Sequence, residues 1–290
     1  MKGVCVEKYI ITDVSLISRK GKGGKNVFVV GELINSSRKV ISQAIEQKDK
    51  VYLQDLARRQ ADAGAHYIDV NAAQGGNEIE DMMWLVDLIQ DVVDIPLCID
   101  SPSAAALEVG LSLCRQKAMI NSISGETERW AEVLPIIQRY HPKVVALCMD
   151  ESGMPETAED RLIVADKLVT GLIAAGVPED DIFLDPLIKP LGVNHLYGQE
   201  VFYSTQAIRN KYPQVHLISG LSNVSFGMPE RRLLNRAFMV MSVALGMDAF
   251  ILDPLDQTLM SLLTASKALA GQDEYCMDYI AGVRSGKVKA

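Results

Sequence analysis

The fold of this chain is decided between residues 66 and 122, which contain HYIDVN (66–71), IPLCIDS (95–101) and KAMINS (117–122). Each segment is a short apolar run that ends at Asp or Asn, a pattern typical of a buried parallel strand. Similar runs lie on both sides of this region: FVVGELIN (28–35), VVALCMD (144–150), IFLDP (182–186), HLISGLSN (216–223) and DAFILDP (248–254). The sequence therefore predicts eight strands.

Helical patterns separate these strands. Helices are predicted over residues 78–93, 102–115, 127–140, 229–246 and 256–271, and another is predicted to begin at Thr157. Strands that alternate with helices eight times predict the α/β class and a TIM (β/α)8 barrel, which commonly forms one domain of ~250 residues. We assign residues 27–290 to this barrel and residues 1–26 to a short N-terminal extension that pairs as a hairpin below it.

Composition excludes several functional classes. The 290 residues carry a net charge of −8, which argues against a nucleic-acid-binding protein. No apolar stretch approaches the ~20 residues that span a bilayer, so no membrane association is expected. The five cysteines are odd in number and contain no C-x-x-C pair, which favours reduced thiols in a cytoplasmic protein over disulfides or a zinc site.

The polar residues that end the strands are the candidate site. The carboxyl ends of barrel strands converge on one mouth, and side chains two apart in a strand share a face. Our candidate binding residues there are Asp69, Asn71, Asp100, Asn121, Asp185 and Asn223. The alternative is that Asp and Asn end strands because they favour turns and helix caps. For Asp150 and Asp253 the two interpretations are equally supported.

Neighbouring residues refine this site. Ser101 is a candidate cap for the helix that follows Asp100, which would leave Asp100 available to a ligand. The alternation places Cys98 and Cys148 inside the packed barrel as core residues. Among the histidines, only His195 follows a strand on the mouth side. We therefore expect neither a histidine base nor a three-histidine metal centre, and no metal site in the chain.

Seven motifs in order resemble one family. They are DVNAA (69–73), LCIDS (97–101), MINS (119–122), LDPLIKP (184–190), GLSNVSFG (220–227), LLNRAF (233–238) and GMDAFILDP (246–254). Together they resemble the pterin-binding methyltransferases, which include methyltetrahydrofolate–corrinoid protein methyltransferase and the pterin-binding module of cobalamin-dependent methionine synthase. The resemblance extends over roughly residues 27–282.

The resemblance implies a barrel that binds folate in its mouth. By position, Asp100, Asn121 and Asp185 are implied to hold the pterin, and Asn223 to contact the nitrogen that carries the methyl group. It further implies tetrahydrofolate or methyltetrahydrofolate as substrate, a corrinoid (cobalamin) carried by a separate partner protein, and a homodimer. The direction of transfer stays open, and the enzyme could instead make methyltetrahydrofolate within a demethylation pathway.

Two departures from the family pattern and two alternative functions stay open. Leu33 replaces a basic residue in the first-strand motif, and Phe226 follows GLSNVS where some relatives carry a polar pair.

A dihydropteroate synthase-like enzyme would need an anion site, but residues 71–80 are acidic and contain no Arg. A non-catalytic folate-binding subunit is the other alternative, against which the intact Asn223 argues. Arg231, Arg232 and Arg236 either contact the folate tail or the partner, or pair with acidic neighbours.

Overall fold

The computed structural model describes residues 27–74 and 76–289. Eight parallel strands close into a barrel, in which each strand pairs with the next and the eighth pairs with the first. The strands are β1 Phe28–Asn35, β2 Tyr67–Asn71, β3 Leu97–Asp100, β4 Met119–Ser124, β5 Lys143–Leu147, β6 Ile182–Asp185, β7 His216–Gly220 and β8 Ala249–Leu252. The predicted TIM barrel is confirmed, and the predicted hairpin of residues 1–26 lies outside the described residues.

Helices surround the barrel. They are α1 Lys39–Glu46, α2 Lys50–Asp62, α3 Glu78–Gln90, α4 Ala104–Leu113, α5 Thr127–Tyr140, α6 Ala158–Ala174, α7 Tyr197–Lys211, α8 Arg231–Ala244, α9 Gln257–Leu269 and α10 Met277–Arg284. The predicted N-cap Thr157 is confirmed, and with Asp160 it forms a capping box. None of the helices in the part of the chain that is described is long and apolar enough to cross a membrane.

The start of α4 differs from the prediction. This helix begins at Ala104, and its N-cap is Ser103, whose hydroxyl accepts a hydrogen bond from the Ala106 amide at 3.3 Å. Ser101 is instead buried, where it donates to Glu78 at 2.5 Å and accepts from the Ser103 amide at 2.9 Å. The consequence drawn from the sequence still holds, because Asp100 does not cap the helix.

Strand alternation divides the core into two parts. The interior of the barrel holds one buried side chain from each strand, namely Val30, Tyr67, Cys98, Met119, Val145, Phe183, Ile218 and Ala249. A larger apolar core lies between the strands and the helices. Cys98 occupies the interior as predicted. Cys148 is a buried core residue as predicted, but its predicted place inside the barrel was wrong: the interior positions of β5 are Val145 and Leu147, so Cys148 packs on the helix side.

The floor of the barrel lies opposite the mouth and contains two histidines, His66 and His216, which stand at the starts of β2 and β7. The Phe28 ring contacts His66 and His216 edge-on, with ring centroids 5.8 and 5.1 Å apart. Buried His216 lies 2.9 Å from a carboxylate oxygen of Asp248. These contacts hold the end of the barrel that is remote from the mouth and serve its stability.

Candidate active site at the barrel mouth

Alternation brings the predicted strand residues together in the mouth. In β2, Asp69 and Asn71 follow the interior residue Tyr67, while Ile68 and Val70 belong to the core under the helices. The strand register places Asn71 beside Asp100 and Asp100 beside Asn121. The Asn71 amide nitrogen donates to Oδ2 of Asp100 at 3.0 Å. These residues therefore form one connected polar surface across β2, β3 and β4.

Asn71 is itself held in one orientation. Its side-chain oxygen accepts hydrogen bonds from the Ser36 hydroxyl at 2.8 Å and from the Ala73 amide at 3.1 Å. With its oxygen engaged in this way, its amide nitrogen is directed towards Asp100. Asn71 thus orders the carboxylate of Asp100 and presents it to the mouth.

The carboxyl groups of the mouth resist ionisation. Burial raises the pKa of Asp100 to about 6, although the hydrogen bond from Asn71 and the charge of Arg129 oppose the rise. Burial also raises the pKa of Asp185 to about 6. The pKa of Asp69 is raised well above its usual value by burial and then by the neighbouring Asp100. Oδ1 of Asp69 is buried and has no hydrogen-bond partner.

Such a site favours a ligand that supplies hydrogen-bond donors. Removing a carboxylate from water is costly unless new donors replace the water, and donors on a ligand would favour the ionised form. Asp185 retains two backbone donors, Leu187 at 2.8 Å and Gly220. One of its oxygens therefore has a fixed position, which leaves the group preorganised for a planar ligand with N–H groups.

Asn223 lies beside this surface on a different kind of element. It ends a 3-10 turn, Leu221–Asn223, directly after β7, and its side chain is exposed. The side chain folds back over Gly220, where an added Cβ would lie only 3.2 Å from its amide nitrogen. Gly220 also lies within reach of the Asp185 carboxylate, so the turn that carries Asn223 starts beside Asp185.

Contacts on both sides fix the turn that carries Asn223. The Ser222 hydroxyl lies 3.1 and 3.2 Å from the two carboxylate oxygens of Glu32. Arg231 donates to the Ser222 carbonyl at 2.7 Å and to the Ser225 hydroxyl at 3.1 Å. Arg231 therefore stabilises the turn that carries Asn223. Arg236, in contrast, pairs with both carboxylate oxygens of Asp256 at 2.6 and 3.2 Å, as the ion-pair interpretation predicted.

Glu32 is a mouth residue that the sequence analysis missed. Burial raises the pKa of Glu32. The guanidinium of Arg38 lies 2.6 Å from Oε1 of Glu32, and its charge opposes this rise. Phe28 and Val30 face the barrel interior, so counting two residues onward would have identified Glu32. Leu33, which replaces a basic residue of the family pattern, is buried on the helix side and does not line the mouth. Arg38 supplies a cation from the following loop instead.

Two other acidic residues fit the turn interpretation. Oδ1 of Asp150 accepts a hydrogen bond from the Ser152 amide at 2.9 Å, and Oδ1 of Asp253 accepts one from the Leu255 amide at 2.9 Å. His195 is exposed in the loop after β6, on the mouth side as predicted. Phe226 is 68% exposed, and the Arg231 guanidinium lies 5.9 Å from the centre of its ring.

Comparison with known proteins gives matches over most of the chain. Residues 31–253 match the family of pterin binding enzymes. A methylcorrinoid:tetrahydrofolate methyltransferase of Eubacterium limosum is 35% identical over 265 residues, which cover 90% of this chain and 98% of that protein. Methionine synthase of Mycobacterium tuberculosis is 28% identical over 240 residues, covering 78% of this chain but 20% of that enzyme.

Solved structures show the same fold at low identity. Dihydropteroate synthase of Yersinia pestis has a TM-score of 0.61 at 18% identity, and the match covers 84% of this chain and 93% of that one. The enzyme of Xanthomonas albilineans in complex with 7,8-dihydropteroate has a TM-score of 0.62 at 17% identity, with 84% and 93% covered. At this identity the likeness extends to the barrel alone.

Proposed function

This chain belongs to the family of pterin binding enzymes, and on that basis we propose that it is a methyltransferase. It transfers a methyl group between tetrahydrofolate and the cobalt of a corrinoid that a separate protein carries. The observation that carries the proposal is the register of β3 and β4, which pairs Asp100 with Asn121 at the carboxyl end of the barrel. Similarity to a methylcorrinoid:tetrahydrofolate methyltransferase over 98% of its length supports it.

The strand residues bind the pterin. A pterin presents an aminopyrimidinone edge on which N–H donors lie beside acceptors. A carboxylate accepts two parallel N–H bonds, and a carboxamide both donates and accepts. Asp100 and Asp185 therefore accept from the ring, and Asn121 satisfies a mixed donor and acceptor edge. Hydrogen bonds of this charged kind contribute about 1.5–3 kcal/mol each in a partly buried site. Asp69 and Asn71 complete the polar lining.

Asn223 acts at the nitrogen that exchanges the methyl group. In methyl transfer to tetrahydrofolate, the nitrogen lone pair forms the new N–C bond, the Co–C bond pair stays on cobalt, and the nitrogen gives up its proton. The side-chain oxygen of Asn223 accepts a hydrogen bond from this N–H and directs the lone pair at the methyl group. In the reverse direction the same contact stabilises the newly protonated nitrogen in the transition state.

We propose that the physiological direction is from the methylcorrinoid to tetrahydrofolate. The Eubacterium limosum relative is named for that direction, as a methylcorrinoid:tetrahydrofolate methyltransferase. A dihydropteroate synthase activity is not favoured, because the segment after β2, residues 71–80, contains no Arg to bind a pyrophosphate. A non-catalytic folate-binding role is not favoured either, since Asn223 is intact on a turn that Glu32 and Arg231 hold through Ser222.

The assembly of the protein is a further part of the proposal. Exposed apolar side chains near the C-terminus, including Leu269 at 87% and Met277 at 63%, support a homodimer. Light scattering should give twice the chain mass, and Met277→Glu should reduce it to one chain. The matched control is Val51→Glu, at an 80% exposed position on α2, which should leave the mass unchanged. Unpaired thiols at Cys98, Cys114, Cys148 and Cys276 support a cytoplasmic location. The net charge of −8 supports a protein that does not bind nucleic acid.

An anaerobic spectrophotometric assay tests the methyltransferase proposal. The protein is mixed with methylcobalamin and tetrahydrofolate, and the cobalt(I) absorption band should grow as methyltetrahydrofolate accumulates in equal amount. The reverse mixture, cobalt(I) cobalamin with methyltetrahydrofolate, should consume that band. Absence of folate binding in calorimetry would refute the assignment. Folate binding without turnover, either with free cobalamin or with corrinoid proteins isolated from the same cells, would establish the non-catalytic role.

A further inference from the structure

Arg129 on α5 binds the backbone behind two of the pterin-binding residues. Its guanidinium donates to the Ser101 carbonyl at 2.9 Å and to the Pro102 carbonyl at 2.6 Å, which follow Asp100. It also donates to the Ser122 carbonyl, which follows Asn121, through Nε at 3.0 Å and through Nη2 at 2.7 Å. One side chain thus holds the ends of β3 and β4 together.

These contacts need the shape of arginine. The guanidinium is a rigid plane with five N–H donors, so it can bind carbonyls from two loops at once. A lysine would supply the charge but only a single flexible ammonium group. The strand ladder pairs Asp100 with Asn121, and the Ser101 amide donates to the Asn121 carbonyl at 3.1 Å. Arg129 adds contacts to the carbonyls of Ser101, Pro102 and Ser122, and so holds the backbone that follows both residues.

We propose that Arg129 is a positioning residue for pterin binding, which holds the backbone that follows Asp100 and Asn121 and so orients both side chains towards the ligand. This inference rests on the proposed function and concerns a residue that does not touch the substrate. Since it acts through groups that bind the ring, it controls affinity for tetrahydrofolate. It does not act on Asn223, so the transfer step itself is nearly independent of it.

Its charge gives a second, separable effect. The charged and polar groups around Asp100 are Asp69 and Asn71 on β2, Glu78 on α3 and Arg129 on α5. Arg129 in turn lies near Glu126 and Glu132. Arg129 is the cation in this set, and its charge lowers the pKa of Asp100 against the effect of burial. Removing it makes Asp100 harder to ionise, so affinity for the pterin is lost at a higher pH.

Two substitutions separate shape from charge. Arg129→Met removes both, and we expect the KM and the dissociation constant for tetrahydrofolate to rise about tenfold, with kcat within about twofold of wild type. The pH midpoint of affinity should also move upward. Arg129→Lys keeps the charge, so it should restore the midpoint while affinity stays reduced. The matched control is Arg139→Met on the same helix, where the side chain is 68% exposed and pairs with Glu108.

The outcomes distinguish this inference from the proposed function. Circular dichroism first checks that each variant is folded. If Arg129→Met does not fold, the affinity of Arg129→Lys decides the test. Wild-type affinity in the Arg129 variants, or an equal loss of affinity in Arg139→Met, would overturn the positioning role. A loss of kcat without a change in affinity would also overturn it. Failure of the wild-type protein to bind tetrahydrofolate would instead overturn the proposed function and this inference with it.

Discussion

Folate affinity should depend steeply on pH between about 5 and 7. Asp100 and Asp185 both have a pKa of about 6 because they are buried, and both must be ionised to accept two N–H bonds from the pterin. The sign follows from this requirement. Ligand binding favours the ionised form of each group, so affinity is present above pH 6 and is lost as the pH falls through 6.

The magnitude follows from the two pKa values. With a pKa of about 6, roughly one carboxyl in eleven is ionised at pH 5 and ten in eleven at pH 7. If both groups must be ionised, the binding-competent fraction falls by about 100-fold over this interval, and the slope of log affinity against pH approaches two at the acid end.

Calorimetric titration of folate across this pH range is the measurement. Asp185→Asn should reduce the limiting slope from about two to about one, because one titrating group remains. Since the ligand's own titration is common to all variants, the difference between variant and wild type isolates the protein's contribution. The control is Asp150→Asn, which alters a turn carboxylate. Equal slopes for wild type and Asp185→Asn would refute the assignment of Asp185 to the pterin.

Three further predictions concern single residues. Asn223→Ala should lower kcat for methyl transfer about tenfold and change folate affinity less, since its hydrogen bond strengthens in the transition state; steady-state kinetics with calorimetry will show whether affinity is instead the larger loss. Gly220→Ala places a Cβ 3.2 Å from the amide nitrogen of Asn223, so we expect a severalfold drop in kcat at an unchanged melting temperature, and full activity would contradict the proposed placement. Asp100→Asn should abolish folate binding but stabilise the unliganded protein at pH 7 by about 1–3 kcal/mol. Burial raises the pKa of Asp100 from the ordinary 3.8 to about 6 in the folded protein, so its ionisation costs stability increasingly as the pH rises from 3.8 to above 6. Thermal unfolding at about pH 7 and about pH 4 tests it, since the advantage should shrink at the lower pH.

The sequence was sufficient for the barrel and for the strand-borne part of the site. Apolar runs with polar ends marked all eight strands, and the rule that alternate side chains share a face placed Asp69, Asn71 and Asp100 together in the mouth. The same rule failed for Cys148 because the apolar run extends to Asp150, whereas β5 ends at Leu147. The alternation of side chains does not hold beyond that residue. The two acidic residues in loops likewise proved to be turn residues, since local backbone amides compete for their oxygens.

Two other parts of the site differ in how far the sequence reveals them. Glu32 follows from the two-residue alternation of Phe28 and Val30, although it lies before the polar end of its strand, where the register shifts between Gly31 and Ile34. Arg129 comes from α5, and nothing in its neighbourhood along the chain indicates that it reaches back to carbonyls after β3 and β4. Contacts of this kind depend on how a helix packs on the barrel, which is a tertiary property.

The division of the mouth between strands and a single loop has an evolutionary consequence. Asp100 and Asp185 end barrel strands that neighbours hold on both sides, and Asn121 lies within such a strand, whereas Asn223, Phe226 and Leu233 come from one continuous segment. The latter two side chains are each 68% exposed. A change at a strand residue disturbs two neighbouring strands, whereas a change at Phe226 or Leu233 disturbs little of the barrel. This segment can therefore diverge between lineages as long as Asn223 is kept.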